Sequence, residues 1–187
     1  METSRINIVP HPQLMEALFA FRSKVSSVFR DVLGLHEISH IAITQISAKH
    51  EILTFSSTAA MEFNLFTSNL WRFDRTFDPS WISSCTQTDW QSLYNPARYD
   101  ELYYLKQIKH QYPIGYSLAA KLEGTSFIYS LASTRSCEHT RELFANQYDD
   151  FYKIGQYCAN MLNPLFMNYD NMQTRPFQTE VDYETSN

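Results

Sequence analysis

Glycine and positive charge are both scarce in this chain. Only four glycines occur in 187 residues, which excludes the repeated Gly-rich loops that cradle nucleotide phosphates. Lys and Arg number 15 against 20 Asp and Glu, so the net charge of -5 disfavours binding to nucleic acid through bulk electrostatics. A signal-peptide pattern and an apolar run of membrane-spanning length are also missing. We therefore expect a cytoplasmic protein that contacts neither nucleic acid nor a membrane directly.

Cysteine is equally sparse and carries no recognisable chemistry. Cys85, Cys137 and Cys158 are odd in number, widely spaced and not arranged as C-x-x-C. In a reducing compartment such thiols pack as small hydrophobic side chains. Any of them could meet one of six histidines only through folding that the sequence does not reveal. We expect no catalytic cysteine and no enzyme activity.

One metal motif is present but lies in the wrong context. His36-Glu-Ile-Ser-His40 matches H-E-x-x-H, which binds zinc when both imidazoles lie on one helix face. Here it follows a helix stop at Gly34 and continues into a strand-like Ile-Ala-Ile-Thr run. On a strand the two histidines lie about 13 Å apart, too far to share an ion. The sequence therefore predicts no metal and no cofactor.

The stretch Pro113 to Ser133 predicts a hairpin with two unlike faces. Both arms alternate, with the turn at Glu123-Gly124-Thr125. One face is bulky and apolar, and it suits packing against helices. The other face is mostly small and forms either the seat of a closely packed helix or the floor of a ligand pocket; it carries Gly115, Ser117, Ala119 and Ser130.

The remaining pattern completes an α+β fold. It predicts a five-turn helix from Leu14 to Val32, a hairpin from Ile38 to Phe55, and further helices. These further helices span about 56–69, 97–111 and 136–163, the last ending before Pro164. We expect a three-layer α-β-α sandwich of the GAF or PAS kind, with a central antiparallel sheet. It would occupy residues 1–166, and residues 167–187 would form a mostly disordered acidic tail.

Aromatic residues are abundant, with 12 Tyr, 13 Phe and 3 Trp. Core filling explains most rings, but an aromatic cluster with a few polar groups also typifies a small-molecule pocket. This cluster comprises Trp71, Phe73, Trp81, Trp90, Tyr94, Tyr99 and Tyr103. Asp74 interrupts it. Its carboxylate lies at the surface, or pairs with Arg72 or Arg75, or accepts a ligand N–H.

These segments resemble the N-terminal autoinducer-binding domain of LuxR-type quorum-sensing regulators. The resemblance is carried by Asn69 to Asp74, Trp90, Ile114 to Leu118 and Phe127 to Ser133, and the last helix resembles the family's dimer helix. It implies that Asp74 accepts the amide N–H of an acyl-homoserine lactone and that Trp90 lies in the ligand pocket. It also implies a homodimer, or a heterodimer with a LuxR-type regulator.

The sequence departs from the family at several positions. Met61 and Leu65 stand where the family has a Trp and a Tyr, and Arg75 follows Asp74 in place of proline. Methionine cannot donate to a lactone carbonyl. No helix-turn-helix region follows the sensor-like part, so this chain would not contact DNA.

We predict a domain that senses a small apolar-tailed signal. The predicted polar contacts are Asp74 and Trp90, and the predicted lining is Trp71, Tyr99, Tyr103, Ser117 and Gly115. The alternative is a ligand-independent interaction module.

Overall fold

A six-stranded sheet forms the centre of the molecule in the computed structural model, which describes residues 6–172. The strand order is β1-β3-β2-β6-β5-β4. All neighbouring strands are antiparallel except β1 and β3. The strands are β1 Val9–Pro10, β2 His40–Ile46, β3 Glu51–Ser56, β4 Gln87–Asp89, β5 Ile114–Leu122 and β6 Thr125–Ser133. The predicted hairpins are both confirmed.

Helices cover both faces of this sheet, which confirms the three-layer α+β prediction. The α-helices are α1 Leu14–Ala17, α2 Arg22–Arg30, α3 Ala59–Thr67, α4 Pro79–Ile82, α5 Trp90–Leu93, α6 Tyr99–Tyr103, α7 Glu138–Asn146 and α8 Tyr148–Met172. Short 3-10 turns lie at Leu35–Glu37, Leu70–Phe73, Arg75–Phe77 and Pro96–Arg98. A π-helical turn, Tyr104–Lys109, follows α6 and is called the π segment below. Among residues 6–172, no helix is long and apolar enough to cross a membrane.

The two faces of the β5–β6 hairpin differ as predicted. On the bulky face Tyr129 packs so closely on α8 that a Cβ at Gly155 would lie 2.1 Å from its ring. Phe127 on the same face meets Phe166 of α8, with ring centroids 5.7 Å apart. On the small face Ser117 and Ser130 lie opposite each other with their Oγ atoms 3.1 Å apart. The second helical layer packs over this small face.

Three predicted helices differ in the structure. The helix expected over 97–111 is a succession of a 3-10 turn, α6 and the π segment. The helix expected over Leu14 to Val32 breaks at Phe21, whose φ of 54° is left-handed, and it becomes α1 and α2. The last helix is also two helices, and α8 passes through Pro164 to Met172. Pro164 lies on the exposed side of α8, where water can satisfy the carbonyl that proline leaves without a donor.

This longer α8 also corrects the predicted tail boundary. Residues 167–172 are helical, so the expectation of a disordered tail starting at Met167 was wrong for that part. Residues 173–187 of the predicted tail lie outside the described residues. Tyr169, within the added turns, meets Phe21 and His11 edge-on and is buried. These aromatic contacts explain why the helix continues beyond the proline.

Candidate functional site

The second helical layer contains a buried ion pair above the small face of the sheet. Lys106 Nζ donates to Asp74 Oδ2 at 2.6 Å, and the two residues are 5% and 2% exposed. Asp74 ends one 3-10 turn and caps the next, where its Oδ1 accepts from the Thr76 backbone N–H at 3.1 Å. An isolated bridge to Tyr94 fixes its backbone as well. The carboxylate is therefore held in place from two sides.

Lys106 reaches this carboxylate from the π segment. Its ammonium lies 4.6 Å from the ring centroid of Trp90 and 5.5 Å from that of Tyr94. Aromatic faces attract a cation, and more strongly where water is excluded. A carboxylate and two rings thus surround the buried charge. Because π-helical turns are rare and concentrate at functional sites, this location supports a functional role for the lysine.

Trp90 covers the small face of the sheet by packing directly on Gly115. A Cβ at Gly115 would lie 2.2 Å from the indole ring, so only glycine permits this contact. The indole Nε1 is buried without a hydrogen-bond acceptor, and the buried Thr76 Oγ1 also has no partner within residues 6–172. Buried polar atoms are normally satisfied, so two such atoms beside an ion pair mark this as an unusual part of the core.

The space enclosed by these groups is very small. The cavity measures about 10 Å³, whereas small-molecule pockets are typically about 300–1,000 Å³. It holds one water molecule at most. Side chains of the sheet and of the helical layer over its small face line the cavity, namely Ala42, Thr44, Met61, Glu62, Leu65, Asp74, Thr76, Phe77, Trp90, Lys106 and Ser130. Of the small-face residues Gly115, Ser117, Ala119 and Ser130, only Ser130 lines this cavity, and Gly115 is covered directly by Trp90.

Comparison with known proteins identifies the fold. No protein-family profile and no curated protein matches the sequence. Escherichia coli SdiA superimposes with a TM-score of 0.51 at 11% identity, over 84% of this chain and 67% of SdiA. SdiA in complex with octanoyl-rac-glycerol superimposes with a TM-score of 0.54 at 10% identity, over 83% of this chain and 66% of that chain. The fold is that of a LuxR-type autoinducer-binding domain. This chain spans about two thirds of the length of SdiA. The VqsR LBD domain from Pseudomonas aeruginosa superimposes with a TM-score of 0.47 at 14% identity, over 80% of this chain and 93% of that domain.

Within this LuxR-type fold, the predicted site residues separate into three groups. Asp74 and Trp90 meet at the cavity. Gly115 and Ser117 lie in the sheet beneath it, Gly115 against Trp90 and Ser117 bonded to Ser130. The other three predicted lining residues lie outside the cavity: Trp71 packs against Phe66 and Phe77, and Tyr99 stacks on Tyr103 beside Tyr94. Ligand contact by any of the seven stays a prediction.

Asp74 is paired, but with Lys106, which the sequence did not suggest, and not with Arg72 or Arg75. Arg72 lies over the Trp71 ring instead, and Arg75 is exposed. Lys106 is 32 residues further along the chain. One signal was available, since Lys106 shares a helical stripe with Leu102, which is fully buried. A lysine on a buried stripe needs a buried anion, and Asp74 is the acid that interrupts the aromatic cluster.

A second polar pair adjoins the ion pair. His40 Nε2 lies 3.7 Å from Glu62 Oε1, and both residues are buried. Burial, reinforced by the charge of Lys106, lowers the pKa of His40 to about 3. Burial also raises the pKa of Glu62 from 4.5 to about 7, against the opposing effect of Lys106. The site therefore holds a neutral imidazole and a carboxyl group that titrates near neutrality.

The H-E-x-x-H histidines lie in different surroundings. His36 is partly exposed and faces Asp150 at 3.4 Å, whereas the His40 Nδ1 lies 2.9 Å from Thr58 Oγ1 in the core. Residues 6–172 contain no cluster of three potential metal-ligating side chains. The cysteines were predicted to pack as small hydrophobic residues; Cys158 does so, but Cys85 and Cys137 are exposed.

Titration of Glu62 gives the domain a testable pH dependence. Because the native pKa is raised to about 7, the native state keeps a proton that the unfolded chain releases above about pH 4.5. This contribution to stability is fully present below about pH 4.5 and is lost as the pH rises through about 7. We therefore expect Glu62→Gln to gain stability relative to the unsubstituted domain between about pH 4.5 and 8.

Urea unfolding of both proteins at several pH values across this range measures the difference. His40 titrates in both proteins, so its opposing effect cancels in the comparison. Glu142→Gln on the exposed side of α7 controls for the substitution itself. A Glu62→Gln difference that stays constant with pH would contradict the assignment.

Proposed function

We propose that this domain is the signal-sensing part of a LuxR-type transcriptional regulator and that it binds a small, apolar-tailed molecule at the Asp74–Lys106 site. The observation that carries the proposal is the buried, incompletely satisfied polar cluster on the small face of the sheet. Trp90 Nε1 and Thr76 Oγ1 have no partner there, although burial without a partner costs about 1–3 kcal/mol per group. Polar groups maintained at such a cost in a core are typical of a binding site.

The lining suits an amphiphile. Asp74, Thr76 and Trp90 offer an acceptor, a hydroxyl and an N–H donor to a polar head group. Met61, Leu65 and Phe77 provide an apolar wall for a tail. The complex of SdiA with octanoyl-rac-glycerol supports this assignment, because a protein of the same fold accepts an eight-carbon acyl ester. Since the cavity measures only about 10 Å³, the helical layer must move outward when the signal binds.

Assembly through α8 forms part of the same proposal. The exposed side of this helix presents large hydrophobic side chains, with Tyr157, Met161 and Met167 between 39% and 51% exposed. Such a surface supports pairing with a second copy or with another regulator in the cytoplasm. Tyr157 is already oriented by its hydrogen bond to Asp31 at 2.6 Å. DNA would be bound only through such a partner or through regions outside the sensing domain.

Thermal unfolding with two acyl probes tests signal binding. We expect N-octanoyl-homoserine lactone or octanoyl-rac-glycerol, at about 100 times its Kd, to raise the Tm by about 5–10 °C through mass action. Asp74→Asn should reduce the shift produced by the amide probe, because a carboxylate accepts an N–H more strongly than a neutral amide does. Asp149→Asn, the same change at an exposed position, is the matched control. If neither probe moves the Tm, an apolar-tailed acyl signal is wrong.

The second candidate is a ligand-independent interaction module. It is favoured by the smallness of the cavity and by the ion pair, which occupies the site without any added molecule. In that case the domain would act by pairing with a regulator or another protein. Native mass spectrometry of the domain purified from cells separates the candidates, because a sensor retains a small molecule and a self-filled module does not.

A further inference from the structure

We propose that Lys106 competes with the signal for Asp74. Its ammonium donates to the carboxylate oxygen that would accept the signal's N–H, so the signal must displace Lys106 in order to bind. This inference rests on the proposed function, since it assigns the signal site to Asp74. It makes Lys106 the residue that sets the affinity of the domain and its preference among head groups.

The arrangement of Asp74 leaves one oxygen for recognition. Oδ1 is committed to the Thr76 backbone N–H within the same turn. Oδ2 accepts from Lys106 Nζ at 2.6 Å, and both residues line the cavity. A carboxylate prefers a charged donor over a neutral amide N–H. A signal therefore binds only if its other contacts outweigh the loss of this bond.

The lysine also occupies the volume that a head group needs. Lys106 lines the cavity, and its ammonium lies over the Trp90 ring, which is itself pressed onto Gly115. The sheet below provides no further room, because Trp90 is already in close contact with Gly115. Room for the head group beside Asp74 must therefore come from the helical layer, where Lys106 occupies that position.

The π segment provides the means for this displacement. Its outer side is exposed, with Tyr104 at 58% and Ile108 at 52%. An open groove of about 540 Å³ separates it from α3 and includes Leu105 and Leu70. Lys106 thus projects inward from a segment with free space on its outer side. A shift of this segment into the groove would withdraw the ammonium from Asp74.

Isothermal titration with a matched amide and ester tests the inference. The probes are N-octanoyl-homoserine lactone, which has an N–H, and octanoyl-rac-glycerol, which has none. We expect Lys106→Ala to bind the amide at least about tenfold more tightly than the unsubstituted domain, because a single competing bond of about 1.4 kcal/mol is removed. The gain for the ester should be smaller, since it comes only from the added space.

A merely structural lysine would not produce this amide preference. Because Lys106→Ala leaves a buried carboxylate unpaired, the comparison is repeated in the neutral background, with Asp74→Asn alone against Asp74→Asn/Lys106→Ala. The asparagine carbonyl still accepts an N–H, so the double variant should bind the amide more tightly than Asp74→Asn. Circular dichroism confirms that each variant is folded.

The outcomes separate this inference from the proposed function. If the unsubstituted domain binds neither probe but Lys106→Ala binds the amide, Lys106 is the competitor and the proposed acyl signal fails for the natural sequence. Alternatively, the unsubstituted domain binds a probe while removal of Lys106 leaves the affinity unchanged or lowers it, both with Asp74 and with Asp74→Asn. In that case the competitor role is overturned and the sensing function stands. If no folded variant binds either probe, both proposals are wrong.

Discussion

Lys106→Met should lower the free energy of unfolding by about 3–5 kcal/mol, because it leaves a buried carboxylate without its cation. Methionine keeps the length and the apolar stem of lysine, so loss of packing is small. Asp74 is 2% exposed and would retain only the Thr76 N–H as a donor. Urea unfolding monitored by circular dichroism measures this loss directly.

The matched controls separate charge from packing. Lys109→Met makes the same change on the exposed side of the π segment and should leave stability nearly unchanged. Asp74→Asn/Lys106→Met removes both charges and should recover most of the lost stability, since replacing a buried ion pair by neutral groups is often close to neutral. If Lys106→Met is as stable as Lys109→Met, the ion pair is not the centre of the site.

Gly115→Ala should destabilise the domain by about 3 kcal/mol, at the upper end of the range for overpacking. The new Cβ would lie 2.2 Å from the Trp90 ring, a distance that forces the indole to move. Trp90 in turn lies under the Lys106 ammonium, so the displacement also disturbs the ion pair. Chemical unfolding of Gly115→Ala measures the cost.

A double-mutant cycle identifies the cause. In a Trp90→Leu background, Gly115→Ala should cost less than about 1 kcal/mol, because the clashing ring is no longer present. Equal costs in both backgrounds would show that the glycine is needed for its backbone and not for the approach of Trp90. The cycle thus tests the contact that closes the site from below.

The β5–β6 hairpin shows how much the sequence could predict. Strand side chains alternate with period two, so the separation of small residues such as Ser117 from bulky ones such as Phe127 was visible in the sequence itself. From this alternation followed the hairpin and the covering of both faces by helices. Asp74 and Trp90 could be placed at the site through the family resemblance.

The rest depends on interactions that sequence patterns do not encode. The partner of Asp74 is 32 residues away, and proximity in the sequence favoured neighbouring arginines that in fact lie outside the cavity. The break at Phe21 interrupts a continuous apolar period, because a single left-handed residue leaves the spacing of hydrophobic positions unchanged. Pro164 is a reliable helix stop in isolation, but tertiary contacts such as those of Tyr169 outweigh it.

The most direct test of whether Asp74 binds the signal is a crystal structure of the domain grown with N-octanoyl-homoserine lactone. We predict the amide N–H on Asp74 Oδ2, the acyl chain along Met61 and Leu65, and Lys106 displaced outward with the π segment. A structure in which Lys106 still bonds to Asp74, and the probe is absent or lies in another groove, would contradict the account.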